Sequence, residues 1–596
     1  MRMNRLLHKV RPSAPLAAFL IASLGTFVCG YFTMLDQPGP GVASAWAAAA
    51  LQAGQPADAG GAKLFLLLMR AVGMLGAPET AHIRAGLATL LGWALFAGSL
   101  AGMLTELFGR WKVWSALTAG TVAGILAASA KLIWATALAP NPAPFALAAI
   151  AGGFWAVILP GVDDQENRRR AILAIFLSFL AFHFGKTTLL FFPIILILAA
   201  VRYQPPYKIG LLEIAVVLLP SLLFFVPETQ PTLAVSGYLS AAKGIPEGVA
   251  GFPLLGWSVL HTIGVIPLLP ALYGLYALAR RSGSALWLIA ALMLSILTGT
   301  WIGGDWSLFA GLASSAGIVT LAMIGVVELF TRLTPGFILS IWVLPLLLWF
   351  SQAESVSRQG ERIWNDHQNN VIRTARYGSL ILSTDEATIN TLRAYDAGTG
   401  RVRPDLRLVN PYRLTEITYL EYLNNSYRNH FQAHTALFDS LLTYAQQGEQ
   451  PATLRPLARR FLSQWVESEV ERSGSSGGVL VSPGYDPGTS HELVPEGLLV
   501  RIWKGDTAFP FIFRNLRLAE IRFAPGQTRL EQGIVAQYPM MFTERGAWMI
   551  DRRYYSEGMD YVRHAMRIDP WYEPARILAD RYAISGDPID VKEVQK

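Results

Sequence analysis

Residues 13–351 are a succession of apolar runs separated by short polar breaks, and from residue 352 onward the pattern changes to amphipathic helices and short strands. The runs fall at 13–35, 86–108, 113–138, 144–160, 171–185, 187–201, 210–226, 257–279, 284–302, 307–330 and 336–351. The longer ones match the roughly 20 apolar residues that carry a helix across a bilayer. The pattern therefore predicts an α-helical polytopic membrane domain of about eleven spans over 13–351, after a cytoplasmic N-terminus at 1–12. Residues 171–201 can also be one long helix, which would put His183-Phe184-Gly185-Lys186 inside the membrane. Two short spans keep the alternation of charge downstream and are preferred.

Basic residues stand in the first twelve positions, at Arg110 and Lys112, at Arg168, Arg169 and Arg170, at Arg202 and Lys208, at Arg280 and Arg281, and at Arg332. With the spans above, every cluster falls on one side, and the positive-inside rule makes that side cytoplasmic. The loop 36–85 and the whole of 352–596 then face outward, and any chemistry is expected at the outer leaflet. Gly98 with Gly102, and Gly120 with Gly124, are small-xxx-small pairs that let helices approach closely.

Composition agrees with this division. The chain is 52% hydrophobic and 15% charged, outside the ordinary range of soluble domains. Its net charge of +7 comes mostly from Arg and Lys between apolar runs, so it signals topology and argues against a nucleic-acid partner. Cys29 is the one cysteine, which excludes an intrachain disulfide and a thiolate metal cluster. A basic start followed by an apolar run resembles a secretory signal, with Ala43-Ser44-Ala45 as its cleavage site. That run is long enough to span and the site lies too far beyond it, so an uncleaved first helix is expected.

Residues 352–376 suggest a helix leaving the membrane. Strands are expected at 379–382, 403–410, 479–482 and 498–502, the first two forming a βαβ unit around a helix through about residue 395. Gly398-Thr399-Gly400 lacks the third glycine and the preceding strand of a dinucleotide loop. An α/β domain over 352–550 is the result. Residues 551–596 hold a tetratricopeptide-like helical hairpin, with Ala565, Pro570, Tyr572, Ala575 and Tyr582 at that motif's usual positions. A single repeat does not make an array, so the hairpin is expected to dock, and a protein partner could use it.

Several stretches resemble one family. Leu64-Phe65-Leu66-Leu67-Leu68-Met69-Arg70, Arg84 opening the second span, Trp134-Ala135-Thr136-Ala137, Ile381-Leu382-Ser383-Thr384-Asp385, Arg403-Pro404-Asp405-Leu406-Arg407-Leu408-Val409-Asn410 and Gly497-Leu498-Leu499-Val500-Arg501 follow its order. They resemble the bacterial relatives of the transmembrane O-mannosyltransferase-like proteins, a branch of the GT-C membrane glycosyltransferases. The resemblance implies transfer of a sugar from a polyprenyl-phosphate donor to an acceptor outside the membrane. Membrane lipid and polyprenyl-phosphate sugar are then the implied partners. The sequence itself requires no cofactor, although a divalent cation could neutralise the leaving phosphate. The family's acid and base positions fall here on Pro40, Ala43, Gln55 and Asn141. None of these can move a proton, so catalysis is either relocated or lost, and a silent relative that binds lipid-linked glycan or scaffolds an envelope complex is the alternative.

Asp36 is the acidic residue immediately after the first span, either a replacement general base or an interfacial residue that ends the helix. Lys131, His183, Lys186 and Asp305 lie near the outward ends of spans, where ionisable groups are costly and default to a functional hypothesis. With Arg70 and Arg84 they are the candidate contacts to a lipid phosphate. The bland readings are a snorkelling lysine at 131, a polar hairpin at 183–186 and a turn residue at 305. A transporter is disfavoured, because no internal repeat is visible.

Overall fold

The computed structural model describes residues 13–34, 62–75, 80–108, 113–138, 140–158, 161, 163–203, 268–281, 283–302, 304–330, 341–356, 362–375, 378–384, 389, 392, 405–473, 478–504, 516–519, 521–523 and 529–585. They divide into a helical unit up to residue 356 and a C-terminal unit from residue 362.

The helical unit contains α1 (Ser13–Tyr31), α2 (Lys63–Gly73), α3 (Ala81–Leu107), α4 (Val113–Ala128), α5 (Lys131–Ala137), α6 (Ala143–Ile158), α7 (Asp164–Phe184), a 3₁₀ helix (Lys186–Leu190), α8 (Phe192–Tyr203), α9 (Leu268–Arg281), α10 (Gly283–Ile302), α11 (Gly304–Phe330) and α12 (Val343–Val356). Among the described residues, three stretches are long and apolar enough to cross a membrane: Ala14–Tyr31, Ala81–Leu107 and Phe309–Leu329. The other apolar helical stretches among those residues are shorter, at 10–17 residues. The expected span at 210–226 lies outside the described residues, as does the start of that at 257–279.

One expected span is divided, the two short spans preferred over 171–201 are separate helices, and each break has a local cause. The run 113–138 ends as a helix at Ala128, because Ala130 adopts an extended conformation with ψ 128° before α5 begins. The run 171–201 is interrupted at Gly185, which is also extended and accepts the 3₁₀ turn that follows.

Helix α3 is the hub. Gly98 meets Phe19 and Ser23 of α1, Gly102 meets the Trp155 ring of α6, and Gly120 and Gly124 of α4 lie against the backbone of α3 at Ala101, Thr105 and Ala97. These are the close approaches that the small-residue spacing predicts. One end of the bundle is pinned by charge. Glu106 of α3 meets Arg170 of α7 at 2.8 Å and accepts from Trp155 Nε1 at 2.8 Å. Arg170 also pairs with Glu166 at 2.8 Å.

The C-terminal unit holds α13 (Ile363–Thr374), β1 (Leu380–Leu382), β2 (Arg407–Val409), α14 (Ile417–Tyr427), α15 (Thr435–Gln446), α16 (Pro451–Ser473), β3 (Val479–Val481), β4 (Glu492–Glu496), β5 (Leu499–Trp503), α17 (Arg529–Asp551), α18 (Tyr555–Ile568) and α19 (Glu573–Ser585). The sheet order is β2-β1-β3-β5-β4, parallel across the first three strands and antiparallel beyond. Strand alternation divides two cores. Leu380, Leu382, Val409, Val479 and Val481 pack with α14–α16 on one face. Ile381, Leu408 and Leu480 pack on the other with α13 and α17–α19. The hairpin α18–α19 belongs to that second core through Val562, Ala565, Ala575 and Leu578. Its entry is tight: Gly546 of α17 and Gly558 of α18 approach backbone to backbone.

Candidate functional site

The end of the helical unit opposite Glu106 and Arg170 is built from aromatic contacts and backbone-directed hydrogen bonds. Trp134 of α5 is fully buried, stacks on Trp93 of α3 at 6.1 Å and donates to Thr33 Oγ1 at 3.2 Å. Trp93 Nε1 donates to the Ala128 carbonyl at 2.9 Å, which holds the point where α4 stops. Phe65 of α2, Phe145 of α6 and Phe184 of α7 form a chain of rings with centroids 6.1 and 4.9 Å apart. Beyond it, Phe191 meets Phe309 at 6.3 Å, and Leu190 lies against Gly299. The 3₁₀ helix therefore packs at the junction of α10 with α11.

This frame decides where the candidate residues stand. Arg70 follows the buried Met69 on α2, the helix that carries Phe65. Arg84 holds α2 from its C-terminal end: Nε donates to the Val72 carbonyl at 3.1 Å, Nη2 to Gly73 at 3.3 Å, and Nη1 to Thr80 Oγ1 at 2.6 Å. Those carbonyls are among the groups a helix end leaves without intrahelical donors. Lys131 opens α5, so it stands at a helix start rather than within a long span. His183 sits in the last turn of α7, buried to 1% exposure. Lys186 opens the 3₁₀ helix and Asp305 is the second residue of α11. Arg70, Arg84, Lys131, His183, Lys186 and Asp305 thus belong to chain segments gathered at one end. Asp36 lies outside the described residues.

Asn141 stands where the resembled family has a glutamate. It is buried, its N–H donates to Thr89 Oγ1 at 3.2 Å, and its Oδ1 accepts from the Ala143 N–H at 2.9 Å. The side chain thereby caps the entry to α6, and the main-chain N–H ties that entry to α3. Sequence reading missed Trp93, Thr33 and Thr89 in this frame. Nothing local marks them, because each acts on a helix 35 or more residues away. Among the described residues no three His, Cys, Asp or Glu side chains group as metal ligands.

No family model matches the chain, and no curated protein matches it.

Proposed function

We propose that the chain is a polytopic membrane protein of the GT-C glycosyltransferase type, with about eleven spans and an extracytoplasmic C-terminal unit, that engages a polyprenyl-phosphate-linked sugar at the outer leaflet. One observation carries this reading. Arg70, Lys131, His183, Lys186 and Asp305 come from distant parts of the chain, yet their segments meet at a single end of the bundle, built of short helices. A lipid phosphate needs cationic groups at membrane depth, where charge is otherwise expensive. The exposed leucines of α1 (Leu16, Leu20 and Leu24) and the exposed Leu346, Leu347 and Phe350 of α12 support lipid contact.

Asn141 favours a second reading, a silent relative that holds lipid-linked glycan without transferring it. Its amide is engaged in the fold and cannot act as a base.

Retention of radiolabelled polyprenyl phosphate by the full chain in detergent tests the site. Lys131→Gln and Lys186→Gln should each weaken retention without lowering thermal stability, and unchanged retention in both would discard it. Asp36→Asn then divides the two readings. It abolishes glycan output in cells if the protein is an enzyme with Asp36 as base. Full output would remove Asp36 from the chemistry and favour the silent relative. Topology is tested by single cysteines at 475 and 167 in a Cys29→Ser background. Position 475 should label from outside, and labelling only after permeabilisation overturns the orientation.

A further inference from the structure

The C-terminal unit has a feature that the reading of the helical unit does not use. Its parallel strands run in the order β2-β1-β3, so the chain leaves β1 toward one side and returns on the other. Ile389 and Leu392, between β1 and β2, are buried in the core of α13 and α17–α19. The β2–β3 connection runs through α14–α16 on the opposite face. Crossovers on opposite faces part at the carboxyl ends of β1 and β3, and that parting is where open α/β sheets hold ligands.

The residues at that edge have a consistent chemistry. Thr384 follows β1 and Ser482 follows β3. The Ser482 hydroxyl accepts from the Thr384 N–H at 3.4 Å, and the two hydroxyl oxygens lie 3.5 Å apart. Neither side chain is fully buried. Beyond β2, Asn410 Oδ1 accepts from the Tyr412 N–H at 3.0 Å, while its own N–H donates to the Tyr419 hydroxyl at 2.7 Å. Tyr412 is thereby fixed at the edge with its side chain 71% exposed. It meets Tyr485, from the turn after β3, edge-on, with centroids 6.3 Å apart and planes at 86°. Strands β2 and β3 flank β1, so their axes stand about 9.5 Å apart. The two rings therefore bridge across the end of β1. Burial, with the nearby Tyr412 phenol, pushes the Tyr485 phenol up to about 12, so it remains a neutral donor.

We infer that this edge, formed by Thr384, Ser482, Tyr412 and Tyr485, is a binding site for a neutral carbohydrate ring. An exposed aromatic face packs against the C–H face of a sugar, and adjacent hydroxyls exchange hydrogen bonds with its hydroxyls. A nucleotide is disfavoured. The sequence that follows β1, Ser383-Thr384-Asp385-Glu386, has none of the glycines that let backbone approach a phosphate, and Asp486 places an acidic residue next to Tyr485 in the chain.

The experiment is saturation-transfer NMR on the full chain in detergent, with mannotriose, chitotriose and maltotriose as separate probes and ADP as the contrasting one. At least one trisaccharide should receive saturation from the protein. Tyr412→Ala removes an exposed ring and should weaken that binding about tenfold. Thr384→Val should weaken it with circular dichroism unchanged. Retention of polyprenyl phosphate should be the same in both variants as in the parent, so failure here is distinguishable from failure of the helical site. No saturation transfer to any of the three sugars at millimolar concentration would overturn the inference. So would sugar binding unaffected by both variants, or binding of ADP alone.

Discussion

The two units solve the problem of buried polar groups in different ways. In the helical unit hydroxyls turn back onto carbonyls: Thr89 onto Ala85, Thr121 onto Leu117 and Ser178 onto Ala174 one turn earlier, and Ser23 across to Ala94 of α3. Glycine then brings backbones together, and the Glu106–Arg170–Glu166 group sits at the bundle's end. The C-terminal unit instead places charge inside. Arg407 and Glu469 meet at 2.8 Å with 6% and 5% exposure, and Arg501 pairs with Glu496 at 1% and 8%. One unit is held by close backbone approach, the other by specific pairing around a sheet.

Breaking a pair in the C-terminal unit should have the largest effect. Arg407 also donates to the Gly378 carbonyl at 2.6 Å, so it ties β2 to the start of β1 as well as to α16. Arg407→Ala leaves Glu469 buried without its main partner and should cost about 3–5 kcal/mol. Arg407→Met combined with Glu469→Leu should recover most of that loss, since a well-packed apolar pair can replace a buried ionic one. Hydrogen exchange at the β1, β2 and β3 amides reads both effects locally. A double variant as unstable as the single one would show that the pair matters for more than its mutual compensation.

The matching test in the helical unit adds volume rather than removing charge. A Cβ at Gly120 would lie 2.8 Å from the Ala101 carbonyl oxygen and 2.7 Å from the Thr105 nitrogen. Gly120→Val should therefore cost about 1–3 kcal/mol or more. Gly317→Val, on α11 with no atom within 4 Å of its added Cβ, should be close to neutral. Thermal unfolding in detergent compares them. Equal loss in the two variants would point to a general intolerance of β-branching in these helices rather than to the α3–α4 contact.

How far the sequence reveals each unit follows the same contrast. Apolar run length located most described helices of the helical unit, and the glycine spacing located its tight crossings. The break at Gly185 was legible, because the alternation of basic clusters requires two short spans over 171–201. The break at Ala130 was not, because an apolar run looks the same whether or not the backbone interrupts it. The strands at 380–382, 407–409, 479–481 and 499–503 were legible as short apolar runs between polar turns. Strand β4 was missed: Pro495 argues against a strand, yet β4 is at the sheet's edge, where a missing N–H is tolerated. Candidate residues were legible as ionisable groups near span ends. Their roles were not, and Arg84 illustrates why: its partners Val72 and Gly73 are backbone carbonyls, which no side-chain pattern encodes.

Arg84 offers the next sharpening of the comparison, at a smaller scale. Arg84→Ala removes the donors to Val72 and Gly73, and should cost about 1 kcal/mol because the solvent-accessible carbonyls can turn to water. Stability and retention of polyprenyl phosphate should fall together if the arginine only holds α2 in position. Retention falling while α2 keeps its exchange protection would assign Arg84 to the ligand itself.

The smallest effect expected is a dependence on pH confined to the C-terminal unit. His430 precedes Phe431 and lies near the buried pair, and its pKa is lowered by partial burial first, then by the Arg407 and Arg472 cations, with Glu469 opposing. A histidine whose pKa is lower folded than unfolded binds more protons when unfolded. Its contribution is fully present above the unfolded value of about 6.5 and is lost as pH falls through the folded value. The ring is more than a third exposed, so solvent screening keeps the effect small. Glu544 works in the opposite direction: burial raises its pKa, so its contribution is present at low pH and is lost as pH rises. The total slope therefore mixes signs, and the informative quantity is the difference between the parent and His430→Gln. Between pH 7 and 5 the parent should lose exchange protection in α15 and α16 that the variant keeps, with α3 and α4 unchanged in both. A parent that gains protection on acidification relative to the variant would reverse the sign and remove the arginines as the cause.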